Sequence, residues 1–586
     1  MEPELSASEA PAEEQLAQLA AAVGPLRRVL AALAARLVDT RAYERLCYAR
    51  LGDYARERPG LSARQLQELA RVGRALEGLP HLERALLANE LPWSKVRLLA
   101  SVVTVDDEEV WIALSRALST QRLELAVREH ATGPDPQDPE GELEPTKRLT
   151  VRCSPAVLEK WLLTRELAER VAGQRLRAAD ALELVAAEVF STIAIDPAIV
   201  ETVETPEATH TWSSTAEALL QQADPQPGPR AAVREIPRAI ASLAEALDDA
   251  DAFELDRRLR RAVRLEQTLD AAIAPLLRVV TAAEYEWRGD YQPLARYAPE
   301  SLGMSARKAR ALLRLERAGD VCPELREAYR SGRLSWVKAH CLLPLLLLDL
   351  PGEWRPIWVS WAERVTVRRL ERDVERALLL RAGHDRAWWR CKFHPERAQD
   401  PIPPEERQMC AHDVDPEATQ ELTFRVPRDV AALFAGVRET LRARLERISG
   451  RLPLDSEVFD ALLDCALLCW TLRDPRARRP DPVAERDDYR CGVPGCTSRC
   501  NHHDHHIHFR SRGGSDALHN RVLICAFHHQ RCLHAGLMRI RGHAPDGLVF
   551  ELGLRSGEAP LVRYQSGDIR LPQTAEGTAV GLERAA

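Results

Sequence analysis

Hydrophobic residues recur at helical spacing through most of this 586-residue chain. Ser62 and Gln65 have the spacing of a capping box, which predicts a helix start. Alternation of apolar and polar residues is confined to short pieces such as "LTVR" at 149–152 and "LTFR" at 422–425, and each piece predicts a short strand leading into a helix. The stretch after Ser62 places its apolar residues on one helical face, at Leu66, Leu69, Val72 and Leu76. The pattern as a whole predicts a mainly α protein.

The helical pattern occurs twice. Residues 61–99 and 304–342 align without a gap at an offset of 243, with 14 identities in 39 positions. The match continues after a four-residue shift, with Trp111 opposite Trp358, and resumes where "RLTVRC" near residue 149 faces "ELTFRV" near residue 422. The repeated Trp, Leu and Pro positions are typical of core packing and helix punctuation. The repeat therefore predicts a duplicated helical domain and indicates no chemistry.

Joints rich in Pro, Asp and Glu divide the chain into predicted segments. The predicted segments are a disordered N-terminal tail at 1–25, helical repeat unit 1 at 26–196, a linker at 197–240, helical repeat unit 2 at 241–472, a basic linker at 473–486, a Cys- and His-rich module at 487–556 and a C-terminal tail at 557–586.

Charge is distributed unevenly along the chain. The net charge is −7, so the protein as a whole does not attract a polyanion, but residues 471–543 hold 13 Arg against 7 acidic residues. Any contact with nucleic acid is expected there. The N-terminus lacks a basic region followed by an apolar run, and the apolar run at 342–350 is too short to cross a bilayer. We therefore predict a soluble cytoplasmic protein with no membrane partner.

Cysteines and histidines cluster near the C-terminus, which favours zinc over disulfides. Five of the 13 cysteines lie between positions 491 and 532, around the stretch "HHDHHIHFRSRGG" at 502–514. Two paired knuckles predict a closed tetrahedral structural Zn²⁺ that stabilises a small module. The predicted ligands are Cys491 and Cys496 from the first knuckle and Cys525 and His528 from the second. The two remaining cysteines of the cluster are interpreted as free thiols, although either could replace a ligand: Cys500 and Cys532.

The other polar residues of this region resemble the HNH endonuclease family, of the ββα-metal fold. The resemblance covers the module at 487–556 and rests on "HHI" at 505–507, "RSRGG" at 510–514, "HNRVLIC" at 519–525 and "HH" at 528–529. Bacterial proteins with a helical domain of unknown function ahead of an HNH module form a known type, and the duplicated body is similar to it. The implied fold is two copies of a helical domain, each with a short strand element, followed by a small zinc-stabilised HNH module.

The resemblance implies a metal-dependent DNA endonuclease with divided roles. It assigns His505 and His529 to a catalytic divalent metal, His506 to the general base, and Asn520 to hydrogen bonds that fix the loop bearing the base. Adjacent strand residues face opposite sides of a sheet, so His505 and His506 cannot easily share one ion. The sequence does not distinguish Mg²⁺, Mn²⁺, Ni²⁺ and Zn²⁺ at this site.

His534 is a third candidate metal ligand, but it departs from the usual spacing of the family. It follows His529 by five residues, which on an ideal α-helix places the two side chains about 140° apart. Ala535-Gly536 suggests that the helix ends near His534, which would allow the two histidines to converge.

In an alternative alignment with the family, Asp504 is the metal ligand and His505 is the base. The order of "HHI" and "RSRGG" favours the alignment in which His505 is the ligand and His506 is the base. The other histidines of the stretch are interpreted as surroundings of the site: His502, His503 and His508.

Arginines of the same region are candidate contacts to DNA phosphates, with ordinary surface charge as the alternative. Phosphate contacts position a duplex without reading its sequence, so no target sequence follows. Two other functions stay open: a zinc-stabilised nucleic-acid-binding module without nuclease activity, and a scaffold whose helical units bind a protein partner. The candidate arginines are Arg510, Arg512, Arg521 and Arg531.

Overall fold

The computed structural model describes residues 12–131, 146–172, 176–192, 238–287, 294–348, 352–383, 391–400, 420–471, 481–498 and 501–572. These residues form a mainly helical protein with small sheets, the largest of them near the C-terminus. The first helices are Ala12–Ala21, Val23–Asp39, Ala42–Arg45, Leu51–Glu57, Ala63–Glu77, Pro80–Leu87, Trp93–Leu99, Glu108–Ala117 and Thr120–Ala131. A later series comprises Arg238–Ala241, Ala252–Trp287, Leu294–Ser301, Ala306–Val321, Pro323–Arg330, Trp336–Leu346, Arg355–Arg364 and Val367–Gly383. We call these two series together the helical body.

The predicted tail at 1–25 is wrong for residues 12–25. The helix Ala12–Ala21 packs against the long helix Ala252–Trp287 and buries Leu16 and Ala20 completely or nearly so. The tail was predicted because the stretch is acidic and has few apolar residues. Those apolar residues form one helical face, and the helix that covers this face is distant in the sequence.

Residues at corresponding positions of the two sequence repeats begin corresponding helices. The Ser62 hydroxyl accepts a hydrogen bond from the backbone N–H of Gln65 at the start of Ala63–Glu77, and Ser305 accepts one from Lys308 at the start of Ala306–Val321. The capping box predicted for Ser62 and Gln65 is confirmed. A proline then opens the next helix in each series, Pro80–Leu87 and Pro323–Arg330.

Two buried lysines close the ends of helices in the same way. Lys95 Nζ donates to the carbonyls of Ser115 and Leu118 at 2.9 and 2.7 Å. Lys338 Nζ donates to the carbonyls of Ala362 and Val365 at 2.7 and 2.6 Å. Each ammonium group thus satisfies carbonyls that the end of a helix leaves without intrahelical partners.

Two carboxylates connect the first series of helices to the second. Glu300 pairs with Lys95 at 2.9 Å and accepts a hydrogen bond from the backbone N–H of Thr120. Glu57 accepts hydrogen bonds from the backbone N–H groups of Val367 and Arg368 at 3.0 and 3.2 Å. Each carboxylate therefore lies at the N-terminus of a helix of the other series, where the helix dipole favours negative charge.

Strands from the two predicted units pair with each other. β1, Thr146–Cys153, and β2, Gln420–Pro427, form an antiparallel ribbon in which Thr150 faces Thr423. The helices that follow them share one core around Trp161, Phe424 and Phe459. We call this part the ribbon domain. Its helices are Pro155–Ala172 and Ala178–Thr192 after β1, and Arg428–Ser449 and Asp455–Thr471 after β2.

The ribbon domain corrects the predicted domain boundaries. Units at 26–196 and 241–472 were expected to carry one strand element each, and the two strands instead form a single sheet. A lone strand would leave the backbone groups of both its edges unpaired, and pairing across the units satisfies one edge of each strand. Of the predicted linkers, residues 197–237 and 473–480 lie outside the described residues.

The C-terminal module comprises the described residues 481–498 and 501–572. A short helix, Pro482–Arg486, packs through Val483 on Leu523, so the predicted basic linker ends before it. β3, His502–His506, and β4, Arg521–Cys525, form an antiparallel hairpin. A second sheet contains β5 (Met538–Arg541), β6 (Val549–Leu552), β7 (Val562–Gln565) and β8 (Ile569–Leu571), in that order.

The predicted C-terminal tail at 557–586 is wrong for β7 and β8. Val562 and Tyr564 are buried while their neighbours are not, which is the alternation of a strand with one buried face. β8 also forms a bridge from Ile569 to Val365 of the helical body. Residues 573–586 lie outside the described residues.

One stretch of the described residues, Glu14–Asp39, is long and apolar enough to cross a membrane by length and composition. Half of its most apolar window is buried inside the helical body. Core helices of soluble proteins meet the same test, so the stretch carries no further conclusion.

We predict that Lys95→Met destabilises the protein by about 3–5 kcal/mol, because it leaves the Glu300 carboxylate buried without its cation. The Lys95 and Glu300 side chains are 5% and 3% exposed. Chemical denaturation of the full chain measures the effect. Arg97→Met is the matched control, because its pair with Glu68 is about one-third exposed and should contribute less than about 1 kcal/mol. Equal losses in both variants would contradict the prediction.

Candidate metal centres

The four predicted zinc ligands lie together in the C-terminal module. Their candidate donor atoms are all within 4.8 Å of one another, and all four residues are buried. His528 Nδ1 lies 3.2 Å from Cys525 Sγ and 3.5 Å from Cys491 Sγ. Three thiols and one imidazole form a donor set that suits a closed tetrahedral zinc site. This Cys₃His cluster could hold a metal ion, in agreement with the predicted ligands Cys491, Cys496, Cys525 and His528.

The environment of the Cys₃His cluster favours thiolate at Cys496. Hydrogen bonds from the thiols of Cys491 and Cys525 hold the pKa of Cys496 well below its usual range, while burial raises the pKa of Cys491. The Arg368 side chain of the helical body donates to the backbone carbonyls of Cys496 and, at 3.5 Å, Cys491, so its positive charge lies beside the thiols. A guanidinium in this position offsets part of the negative charge that thiolates bring into a buried site.

His528 is oriented from its other nitrogen. Its Nε2 lies 3.0 Å from the backbone carbonyl oxygen of Cys47, a residue of the helical body. An N–H on Nε2 that donates to this oxygen leaves the lone pair on Nδ1, the atom that faces the thiols. The tautomer required of a metal ligand is therefore fixed by a contact from outside the module.

The leftover cysteine that the structure describes is not one of the clustered donors. Cys532 is buried beside Cys47, and the hydrogen bond between their thiols raises the pKa of Cys532. It is a free thiol, as predicted. Cys500 lies outside the described residues.

The hairpin of β3 and β4 separates His505 from His506. His505 pairs with Val522 and His506 with Arg521 across the hairpin, and consecutive strand residues point to opposite faces. His505 is 4% exposed and its ring lies 5.2 Å from the ring of His529. Burial, followed by the nearby histidines, lowers the pKa of His505 to about 4. This imidazole is neutral at physiological pH, as a metal ligand must be.

A π-helix brings His534 to His529. Residues Phe527–Leu533 form a π-helix, and the backbone N–H of His534 donates to the carbonyl of His529 at 3.2 Å, an i to i+5 bond. The separation of about 140° expected on an ideal α-helix therefore does not apply. His534 Nε2 lies 3.3 Å from His529 Nε2. The helix ends at Leu533, close to the end that Ala535-Gly536 predicted, and its wider turn makes the two histidines converge.

The three imidazoles of His505, His529 and His534 are neighbours without forming one closed shell. Among the described residues, the Cys₃His cluster is the group whose candidate donors all lie within 4.8 Å of one another. The pKa of His529 is lowered, first by burial and then by the charges of His534 and His503. Neutral nitrogen donors of this kind fit a divalent transition metal better than Mg²⁺, which prefers oxygen.

His506 and Asn520 lie on the loop side of the hairpin. His506 Nε2 is 2.8 Å from Asp516 Oδ1. Asn520 accepts a hydrogen bond from the backbone N–H of His508 at 2.8 Å and donates to the carbonyls of His508 and Ser515 at 3.0 and 2.8 Å. These bonds close the loop that connects β3 to β4. Asp516 was not singled out from the sequence, because a single exposed Asp in a Gly-rich loop gives no signal.

The arginines proposed as phosphate contacts differ in how far their side chains are exposed. Arg521 pairs with Asp504, and both side chains are about three-quarters buried, so neither joins the imidazoles. Arg510 is 70% exposed beside Asp516, and Arg531 is 67% exposed beside Glu44 of the helical body. Arg512 lies over the ring of Phe509 at 5.7 Å. The exposed arginines are the better candidates for contact with a phosphate backbone.

His503 is the site residue that sequence reasoning missed. It had been interpreted as part of the surroundings, yet its Nδ1 lies 3.1 Å from Nδ1 of His529. The two-residue alternation of a strand could have identified it, because side chains 503 and 505 of one strand point to the same face.

No protein-family model, no curated protein and no solved structure matches this chain.

We predict that Cys491→Ser lowers bound zinc from about one ion per chain toward none and destabilises the C-terminal module, because a closed site needs all four ligands. Elemental analysis of the purified full chain and thermal unfolding measure both effects. Cys465→Ser is the control, since Cys465 lies in the ribbon domain and is half-buried there. Zinc content and unfolding that match the wild type in Cys491→Ser would remove the basis for the site.

Proposed function

We propose that this protein is a metal-dependent endonuclease of the HNH type that hydrolyses DNA phosphodiester bonds. The observation that carries the proposal is the division of the histidines by the β3–β4 hairpin. His505 lies with His529 on one face, and His506 lies on the other beside Asp516. The reaction requires a cation on the leaving oxygen and a proton acceptor for water, and the hairpin separates the residues proposed for these two roles.

The local fold supports the HNH resemblance. Two antiparallel strands are followed directly by a short helix that carries His529, which is the order ββα. The Cys₃His cluster joins the segment before the hairpin to the last residue of β4 and to the helix that follows it. A cluster that could hold a metal ion, with a group of imidazoles next to it, supports both parts of the proposed arrangement.

The chemistry follows from the placement of the side chains. A divalent ion held by His505, His529 and His534 would stabilise negative charge on the phosphate and on the leaving 3′ oxygen. An N–H on Nε2 of His506 donates to Asp516, which leaves Nδ1 as the atom that takes the proton from water. Asn520 holds the loop against the hairpin and so keeps His506 in place. The resemblance implies 5′-phosphate and 3′-hydroxyl ends.

We further infer that the helical body is a duplicated unit. The Ser62/Ser305 caps, the Lys95/Lys338 contacts and the Glu57/Glu300 contacts all fall at pairs of positions 243 residues apart, which is the offset of the two aligned repeats. Corresponding glycines add to this: Gly60 and Gly303 both have positive φ, and each lies against the other unit, at Ser335 and at Pro92–Trp93. We propose DNA as the partner of the C-terminal module, in a cytoplasmic protein.

One alternative function has specific support. The Cys₃His cluster is assembled while the imidazole donors are not yet in one shell. A zinc-stabilised module that binds nucleic acid without cutting it would have the first site and would not need the second.

We predict that the purified protein nicks supercoiled plasmid DNA in the presence of Mn²⁺ or Ni²⁺, and that His506→Ala lowers the rate by about 10²–10⁴-fold, because the general base is lost. Gel assays with Mg²⁺, Mn²⁺, Ni²⁺ and Zn²⁺ measure it. His543→Ala, an exposed histidine in the turn between β5 and β6, is the control and should retain activity.

Binding of DNA without metal-dependent nicking above the level of His506→Ala, under every metal, would reject the endonuclease and favour the binding module.

A further inference from the structure

We propose that His503 is a positioning residue of the candidate metal site: its Nδ1 accepts a hydrogen bond from Nδ1 of His529 and thereby fixes Nε2 of His529 as the metal donor. The inference rests on the proposed function in taking His529 as a metal ligand. It concerns a residue that the HNH resemblance leaves without a role.

The strand places His503 where this role requires it. β3 runs from His502 to His506, so His503 and His505 point to the same face of the hairpin. Both rings lie near His529, with centroid distances of 4.9 Å for His503 and 5.2 Å for His505. His503 is half-buried, which protects its hydrogen bond from competition with water.

The two nitrogens of His529 face different partners. Nδ1 lies 3.1 Å from Nδ1 of His503, and Nε2 lies 3.3 Å from Nε2 of His534. A neutral imidazole has one N–H, so a proton on Nδ1 that is donated to His503 leaves the lone pair of Nε2 directed at His534. A single ring cannot give both nitrogens to one ion. His503 therefore acts through His529 and is not itself a ligand in the same shell.

The distance between His529 and His534 fits a shared ion. Two imidazole nitrogens at the usual zinc–nitrogen length of about 2.0–2.1 Å in a tetrahedral site are about 3.3 Å apart. The observed separation of the two Nε2 atoms is 3.3 Å. A transition metal ion held by both Nε2 atoms would need a lone pair on each of them, so neutral His534 would carry its N–H on Nδ1, while the bond from His529 to His503 would stay as it is.

The consequence is a difference in metal affinity. Hydrogen-bond partners of metal-bound histidines typically change metal affinity by about 10–100-fold when they are removed, because they fix the tautomer and the ring orientation. We expect the acceptor atom of residue 503, rather than its bulk, to carry this effect. Asn can place its side-chain oxygen close to the position of the histidine Nδ1, and Leu has similar bulk without an acceptor.

The test is calorimetric titration of Ni²⁺ into the zinc-loaded full chain, without DNA. His503→Leu should weaken Ni²⁺ binding by about 10–100-fold, and His503→Asn should recover most of that loss. His508→Ala removes an exposed imidazole from the same segment and should bind Ni²⁺ like the wild type. Circular dichroism and zinc content, measured after the titration, show that each variant is folded and that Ni²⁺ has not displaced zinc.

Each result decides the inference. Wild-type affinity in His503→Leu would overturn it, and so would an equal loss in the Leu and Asn variants, because the acceptor would then not matter. Absence of Ni²⁺ binding in the wild type, or binding that survives in His529→Ala, would also overturn it. A wild type that binds Ni²⁺ through His529 and does not nick DNA would reject the proposed function while this inference stands.

Discussion

The backbone N–H groups at the start of the helix Val367–Gly383 have no partner inside the helix, and two other parts of the structure are joined to it by accepting hydrogen bonds from them. Glu57 accepts from Val367 and Arg368, and the carbonyl of Asp568 accepts from Thr366 at 2.9 Å. Each such group left buried without a partner costs about 1–3 kcal/mol. This one turn therefore joins the first series of helices, the second series and the C-terminal strand β8.

The same turn connects the helical body to the Cys₃His cluster. The Arg368 side chain pairs with Asp568 at 2.6 Å and reaches the carbonyl of Cys496, while Asp568 accepts from the backbone N–H of Gly495 at 2.8 Å. Arg368 is thus held between a carboxylate and the knuckle. Gln121 occupies the corresponding position of the first series when Trp111 is aligned with Trp358, and its side chain is uncharged. The two aligned series therefore differ at this position, and the charged residue of the pair is the one that contacts the knuckle.

Local signals predicted what local interactions determine. The helix after Ser62, its cap and the four clustered donors follow from residue types at fixed spacing, and all of them appear as expected. Long-range pairing escaped prediction. The strand at Leu149 was identified, but its partner strand follows Ala306–Val321 and the rest of the second series, and short polar stretches such as β8 acquire their partners only in the folded chain. The convergence of His534 on His529 was expected from an early helix end, but its cause was not predicted, because the period of an α-helix was assumed where the backbone adopts an i to i+5 bond.

The Cys₃His cluster also determines the geometry of the imidazoles. His528 and His529 are consecutive residues of one short helix, so they point in different directions from its axis. Once Cys525 and His528 are fixed in the cluster, and His528 is fixed in turn by the carbonyl of Cys47, the helix has no freedom to rotate. His529 must then face the β3 strand, where His503 and His505 lie. The contact between the Cys47 carbonyl and His528 therefore also sets the position of His529, because the two histidines are neighbours on one short helix.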